Sequence, residues 1–389
     1  MTFTGILPDD LHTATVSVAG GKISDLTLGA IQRDDAASRP MICPGFIDVQ
    51  VNGWGGVAFN DPALTTEQVE KVTRRLWETG VALYCPTLIT DSFEHLAAGM
   101  RAIARARRES PAGRSILGIH LEGPYLSPED GPRGAHPLEH VRRPNWDEFR
   151  RLQDAADGLI CLVTLAPEID GAIPFIERLV AAGVRVSIGH TAATSADIRA
   201  AVAAGACMAT HLGNAAHDRL QRHRNYVYDL LAADELWASL IVDGHHLPPE
   251  LVKIFVRAKR PERTILVSDA MMWAGMPPGR YPFGPIDLEV RYDGFIGVVG
   301  QPRLAGSGLL LAKGLENVVR FAGVSLSQAI DMVTRHPAQM LGKFPTIGAI
   351  ETSSEGTFTL LTWDSNTSTM RVRSTIVAGQ VVSGNPDDI

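Results

Sequence analysis

Along most of the chain, short runs of Val, Ile, Leu and Thr alternate with longer stretches in which apolar residues recur every three or four positions among Ala, Arg and Glu. The first pattern is that of a strand buried on both faces, the second that of an amphipathic helix. Eight strands are predicted in this way, over 45–51 (GFIDVQV), 81–89 (VALYCPTLI), 115–122 (SILGIHLE), 160–167 (ICLVTLAP), 184–190 (VRVSIGH), 206–212 (ACMATHL), 238–244 (ASLIVDG) and 263–270 (RTILVSDA). Helices are predicted between them over 66–79, with Thr66 as its cap, and over 92–109, 147–156, 171–182, 195–204, 225–233 and 248–259. A repeated strand-helix unit builds an α/β fold with a parallel sheet, and eight such units fit a (β/α)8 barrel of about 250 residues. The two ends, 1–43 and 344–389, alternate apolar and polar residues between Gly and Asp turns. They are predicted to join as one small β unit, leaving 44–343 for the barrel.

With 389 residues, 45% apolar and 20% charged, the chain can build one large core and a smaller satellite. The net charge of −7 and a pI near 5.9 supply no basic face, which excludes nucleic acid and anionic membrane as expected partners and favours a small molecule. Cys43, Cys85, Cys161 and Cys207 are far apart with no C-x-x-C, so they read as core thiols of a reducing, cytoplasmic compartment. The first ten residues, MTFTGILPDD, lack a basic segment, and no uncharged apolar run reaches membrane-spanning length, so neither secretion signal nor transmembrane helix is expected.

In a barrel of this kind the chemistry sits at the C-terminal ends of the strands. There the first strand offers Gln50 and Asn52, the third His120 and Glu122, the fifth His190, the sixth His211, the seventh Asp243 with His245 and His246 beyond it, and the eighth Asp269. The second and fourth end without a carboxylate or imidazole. A single strand-end histidine is ordinarily a hydrogen-bonded core residue. One carboxylate and two imidazoles ending three strands of one barrel, Glu122, His190 and His211, are a ligand set for a divalent cation such as zinc, with a position left for water. Asp269 ends an apolar strand, where an unpaired carboxylate is costly, and a cation at the barrel mouth supplies its compensating charge. Asp243 and Asp269 also suit the N-cap of a following helix. His12, His95, His140, His217 and His336 read as solvated or capping residues. The Gly-rich LAGSGLLL at 304–311 reads as a helix start near the site, with Ser307 as cap.

In order and spacing, PGFIDVQVNGWGG, GIHLEGPYL, RGAH, SIGHTAAT, ATHLGNA, VDGHH, LVSDA and LAGSG resemble the N-acetylglucosamine-6-phosphate deacetylases of the amidohydrolase superfamily, over nearly the whole chain. The resemblance implies a TIM-like barrel with a small β-sandwich domain built from both termini, and a metal-dependent deacetylase. It matches Glu122, His190 and His211 to the metal ligands and Asp269 to the catalytic acid/base. It matches Ala135, His136, Asn214, Ala215, Arg222, His246, Leu304, Ala305 and Gly306 to positions that hold substrate. It also implies a homodimer.

Many amidohydrolases carry H-x-H on the first strand for a second metal; here Gln50, Val51 and Asn52 stand there. Amides are poor zinc ligands, so one divalent ion per subunit is expected, zinc first, with iron, manganese and cobalt compatible with the same donors. The expected mechanism is a metal-activated water whose proton Asp269 takes and returns to the departing amine. The loop that carries Arg-Glu-Pro-Gly in the family reads Arg222, His223, Arg224, Asn225 here. Two guanidinium forks suit phosphate oxygens, while the altered neighbours, and separately Trp273 in the MMWAGMPPGRYPFG loop, leave open a non-phosphorylated or differently substituted N-acyl amino sugar. Two other readings stand beside this one: an amidohydrolase of another amide, and a catalytically silent sugar-phosphate binder, against which the presence of Asp269 argues.

Overall fold

The computed structural model describes residues 1–8, 12–31, 40–283, 286–301 and 304–384. Asp9 and Asp10, which interrupt the N-terminal apolar stretch, lie outside them. Eight parallel strands form one sheet in chain order: β1 (Phe46–Val51), β2 (Val81–Ile89), β3 (Ile119–Glu122), β4 (Ile160–Leu165), β5 (Arg185–Ile188), β6 (Met208–Ala209), β7 (Trp237–Leu240) and β8 (Thr264–Leu266). Among the described residues no ladder joins β8 to β1. The sheet is instead drawn closed beyond their C-terminal ends, where Val51 bridges Ala270, Asp269 N–H donates to Gln50 O at 3.0 Å and Asn52 N–H to Ala270 O at 2.8 Å. At the other end Met332 and Val333 fill the gap, accepting from Leu266 N–H and Ile47 N–H.

The strands alternate with helices because each amphipathic stretch has an apolar stripe to bury against the sheet. Thr66–Glu78, Phe93–Glu109, Trp146–Ala155, Ala172–Ala181, Ser195–Ala203, Tyr226–Ala232 and Pro249–Lys259 fall where periodicity places them, and Leu311–Ala322 completes the ring. The first helix is capped by Thr65, not Thr66: the Thr65 hydroxyl accepts Gln68 N–H while the Gln68 side chain accepts Thr65 N–H. Ser307 caps no helix. It lies buried in a strand-like contact with Ala270, and its hydroxyl accepts Leu309 N–H two residues before the helix begins. His336 is likewise not solvated, being buried against Thr264 O on Arg335–Met340.

The termini form a separate seven-stranded sheet in the order Gln380–Gly384, Thr369–Val377, Phe358–Asp364, Met41–Pro44, Thr2–Ile6, His12–Ala19, Lys22–Ala30, around Phe3, Val16, Ile42, Phe358 and Ile376. A third, unpredicted sheet follows β8: Gly279–Phe283, Ile286–Val290 and Ile296–Val298 run antiparallel, and Trp273 and Tyr281 stack at 4.8 Å against its small apolar cluster. Among the described residues no helix is long and apolar enough to cross a membrane.

Candidate active site

Four side chains converge at the C-terminal mouth of the barrel. Glu122, the last residue of β3, is buried, and its Oε1 lies 3.0 Å from His211 Nε2 and 3.3 Å from His190 Nε2. The two Nε2 atoms are 3.1 Å apart, and His136 Nε2 lies 3.2 Å from that of His190. His190 and His211 were expected inside the C-terminal ends of strands, yet β5 and β6 stop two residues before them. The reason is local: His190 (φ 51°), His211 (φ 28°) and Asp269 (φ 49°) all have positive φ. Non-glycine residues adopt that conformation at a cost of order 1 kcal/mol or more, and here it turns each side chain off its strand into the mouth.

For His190 and His136 the hydrogen bonds fix which nitrogen is free. His190 Nδ1 faces the Pro132 carbonyl at 3.0 Å and so carries the proton, leaving the Nε2 lone pair directed at Glu122 and His211. His136 is the opposite case. Thr90 N–H donates to its Nδ1 at 3.4 Å, with the Thr90 hydroxyl at 2.8 Å, so its proton sits on Nε2 and points into the site. Burial, reinforced by His190, holds the His136 imidazole well below its usual range and keeps it a neutral donor. Burial alone would push the Glu122 carboxyl up; its close neighbours His190 and His211 outweigh it and hold it well below the usual carboxylate range. Burial opposes protonation of His211 too, but its hydrogen bond to Glu122 and the Glu122 charge raise it.

These donors fit a divalent cation. Three heteroatoms crowded within 3.3 Å of one another, two of them imidazole nitrogens, share too few protons to hydrogen-bond each other, but one cation satisfies all three. Glu122, His136 and His190 also bring three ligand atoms within 4.8 Å of one another. The His136 tautomer argues for His211 instead, because a ring nitrogen that carries a proton has no lone pair for a metal.

Asp269 lies near this cluster, within reach of the Glu122 and His211 charges. Burial, with the Glu122 charge beside it, pushes its carboxyl up to about 6. The amides of β1 tie the two carboxylates down: Asn52 Nδ2 donates to Asp269 Oδ1 at 2.6 Å, and Gln50 Nε2 to Glu122 Oε1 at 2.8 Å. Gln50 Oε1 and Asn52 Oδ1 are themselves buried without partners. Asp243 is not a helix cap, since the next helix starts at Pro249 behind Pro248. Its carboxylate accepts the N–H groups of His245 and His246, each at 2.8 Å, and His246 Nδ1 at 2.6 Å. Burial opposes that charge, but the His246 hydrogen bond and charge hold Asp243 below its usual value. The neighbouring ring is thereby fixed with Nε2 outward.

The expected substrate positions are brought in unequally. Gly134, one residue before Ala135, packs against the His190 ring and Ala215, whose own φ is 49°. Asn214 offers a buried, unpartnered Nδ2. Leu304, Ala305 and Gly306 lead into the strand-like contact of Ser307 with Ala270, beside Asp269; at φ 109° and with Met271 2.9 Å from where a Cβ would lie, position 306 admits only glycine. Arg222 is the exception. It and Arg224 are exposed and hold no hydrogen bond or ion pair among the described residues.

Sequence reasoning missed Glu168, three residues past β4, a strand that seemed to end without a carboxylate. Its oxygens accept Thr191 Oγ1 at 2.5 Å and Ala192 N–H at 2.7 Å, bracing the two residues that follow His190. It also missed the Thr90 contact that sets the His136 tautomer.

The molecule is similar in sequence and shape to proteins of known activity. Residues 41–382 match the amidohydrolase family. The N-acetylglucosamine-6-phosphate deacetylase of Mus musculus is 35% identical over 366 residues, covering 91% of this chain and 86% of that one. The N-acetylgalactosamine-6-phosphate deacetylase of Escherichia coli O157:H7 is 33% identical over 361 residues, covering 93% and 92%. Among solved structures, a variant N-acetyl-D-glucosamine-6-phosphate deacetylase from Mycobacterium smegmatis in complex with N-acetyl-D-glucosamine-6-phosphate superimposes with TM-score 0.83 at 30% identity, covering 96% of this chain and 95% of that one. The Thermotoga maritima N-acetylglucosamine-6-phosphate deacetylase does so with TM-score 0.85 at 26% identity, covering 99% and 100%.

Proposed function

Since this chain belongs to the amidohydrolase family, and within it to the N-acetylglucosamine-6-phosphate deacetylases, a group of metal-dependent hydrolases, we propose that it cleaves N-acetylglucosamine-6-phosphate to glucosamine-6-phosphate and acetate. The observation that carries this is the meeting of Glu122, His190 and His211 beside an Asp269 held by Asn52.

In this reading Glu122, His190 and His211 hold one divalent cation, zinc first, which when bound polarises the acyl carbonyl and lowers the pKa of water toward ~7. Everything else falls to the chain. Asp269 Oδ1 is engaged by Asn52, so Oδ2 takes the proton of the attacking water and hands it to the amine nitrogen as the C–N bond breaks. His136 presents Nε2–H to the acyl oxygen as negative charge develops there. His246, set by Asp243, and the 304–306 backbone orient the sugar, with Ala135, Asn214 and Ala215 as further positions that hold substrate. Arg222, with Arg224 beside it, takes the phosphate; both are unengaged and exposed. We place the protein in the cytoplasm as a homodimer, with 44–343 as the catalytic barrel and 1–43 plus 344–389 as the terminal domain.

The similarity to an N-acetylgalactosamine-6-phosphate deacetylase favours a second reading, in which the 4-epimer is the substrate. Acetate release by the zinc-loaded protein from both phosphorylated sugars and from unphosphorylated N-acetylglucosamine separates these. Preference for N-acetylglucosamine-6-phosphate upholds the proposal, and activity on none of the three overturns it. Asp269→Asn should lower kcat by about 10²–10⁴-fold while metal and substrate binding survive; near-native turnover would remove Asp269 from its role.

A further inference from the structure

His217, which stands outside the donor cluster, is held on both ring nitrogens. Its Nε2 lies 3.1 Å from Glu129 Oε2 and its Nδ1 3.0 Å from the Tyr226 hydroxyl, whose oxygen also accepts His217 N–H at 2.8 Å. A carboxylate only accepts, so the ring proton sits on Nε2 and Nδ1 takes the Tyr226 O–H. His217 and Glu129 are partly exposed, whereas Tyr226 is buried at the start of the helix Tyr226–Ala232.

These three residues join the loops that follow β3 and β6. His217 and Tyr226 bring together the ends of segment 218–225, within which Asn225 Nδ2 donates to Gln221 O at 3.0 Å. That segment carries Arg222 and Arg224, whose side chains hold no hydrogen bond or ion pair among the described residues. In the other loop, Glu129 O accepts Arg133 N–H at 2.9 Å, in the turn that presents Pro132 O to His190 Nδ1. The two backbones touch as well: a Cβ at Gly131, φ 94°, would lie 3.0 Å from Ala216 O and from His217 Cα.

A segment whose ends are tied has fewer conformations to lose when its side chains bind. Two arginines on an untied segment would give back, as lost freedom, much of what their guanidinium forks gain from a phosphate. We propose that His217 is the positioning residue that sets the preference for a phosphorylated sugar: through Tyr226 and Glu129 it closes the arginine segment onto the 129–136 loop, so that Arg222 and Arg224 meet the phosphate in a fixed frame. This rests on the phosphate role given to Arg222 above. None of the His217 hydrogen bonds reaches Glu122, His190, His211 or Asp269, so its effect falls on binding and not on the bond-breaking step.

Steady-state kinetics of the zinc-loaded protein on N-acetylglucosamine-6-phosphate and on N-acetylglucosamine test this. Losing a hydrogen-bond partner shifts an equilibrium by up to about tenfold, so His217→Ala should raise KM for the phosphorylated sugar by about tenfold and keep kcat within about twofold. For the unphosphorylated sugar kcat/KM should stay within about twofold of native. Tyr226→Phe, which removes one oxygen and keeps the ring, should act like His217→Ala, and Glu129→Gln, which keeps an acceptor for Nε2–H, should retain the native KM. Limited trypsin digestion reads the segment itself: cleavage after Arg219, Arg222 and Arg224 should be about fivefold faster in His217→Ala. Equal losses on both sugars, or a native KM in both His217→Ala and Tyr226→Phe, would overturn the proposal. Acetate release from neither sugar by the native chain would instead sink the substrate reading, and the trypsin rates would then still decide whether His217 closes the segment.

Discussion

Asn52 shows how much a single neutral side chain contributes. In place of an imidazole, its amide donates to Asp269 at 2.6 Å and divides that carboxylate into a held oxygen and one that Asn52 leaves free. Deleting such a partner leaves the carboxyl free to rotate and removes a hydrogen bond to its charged form, so Asn52→Ala should lower kcat by about 10–100-fold without changing metal content. Metal analysis beside initial rates checks this; equal loss of metal and rate would make Asn52 part of the metal site. The residue types of the site were legible in the sequence because barrel topology dictates where strand ends go. Their tautomers were not, since the protons on His136 and His190 depend on Thr90 and Pro132, dozens of residues away and unrelated by any period.

At the scale of elements, the strands read from the sequence ran through their functional residues, whereas β5, β6 and β8 end before His190, His211 and Asp269. Hydrophobic alternation reports burial, and it continues past the point where φ changes sign. The sheet over 279–298 escaped although Ile286–Val290 alternates apolar and polar residues, because its strands are only three to five residues long. Loops that hold a residue at positive φ need bracing, and Glu168 supplies it for the segment after β5. With that acceptor gone, Thr191 and Ala192 lose their partner, and Glu168→Ala should weaken zinc affinity by about 10–100-fold. Competition with a chelator measures it, and an unchanged constant would mean that His190 holds its place without Glu168.

For the whole molecule, the buried Asp48 on β1 links stability to pH. Burial pushes its carboxyl up to about 7, against hydrogen bonds from Ser268 and Gln50 that pull the other way. A folded-state value above the unfolded one means that the folded chain binds the extra proton, so this contribution is fully present below pH ~4 and is lost as pH rises through ~7. Asp48→Asn keeps an acceptor for those N–H groups without the charge. Its unfolding midpoint should therefore fall less than that of the native chain between pH 5 and pH 8, and parallel curves for the two proteins would refute the assignment.

The place where the barrel closes has a consequence in time as well as space. Asn52 and Asp269 are 217 residues apart in the chain, and the strand that carries one is made long before the strand that carries the other. A ribosome that has released only seven strands has exposed Glu122, His190 and His211, while Asp269 has yet to emerge and meet Asn52. The donor cluster is therefore complete before its carboxylate neighbour arrives, and the four side chains stand together only once the circle of strands is closed.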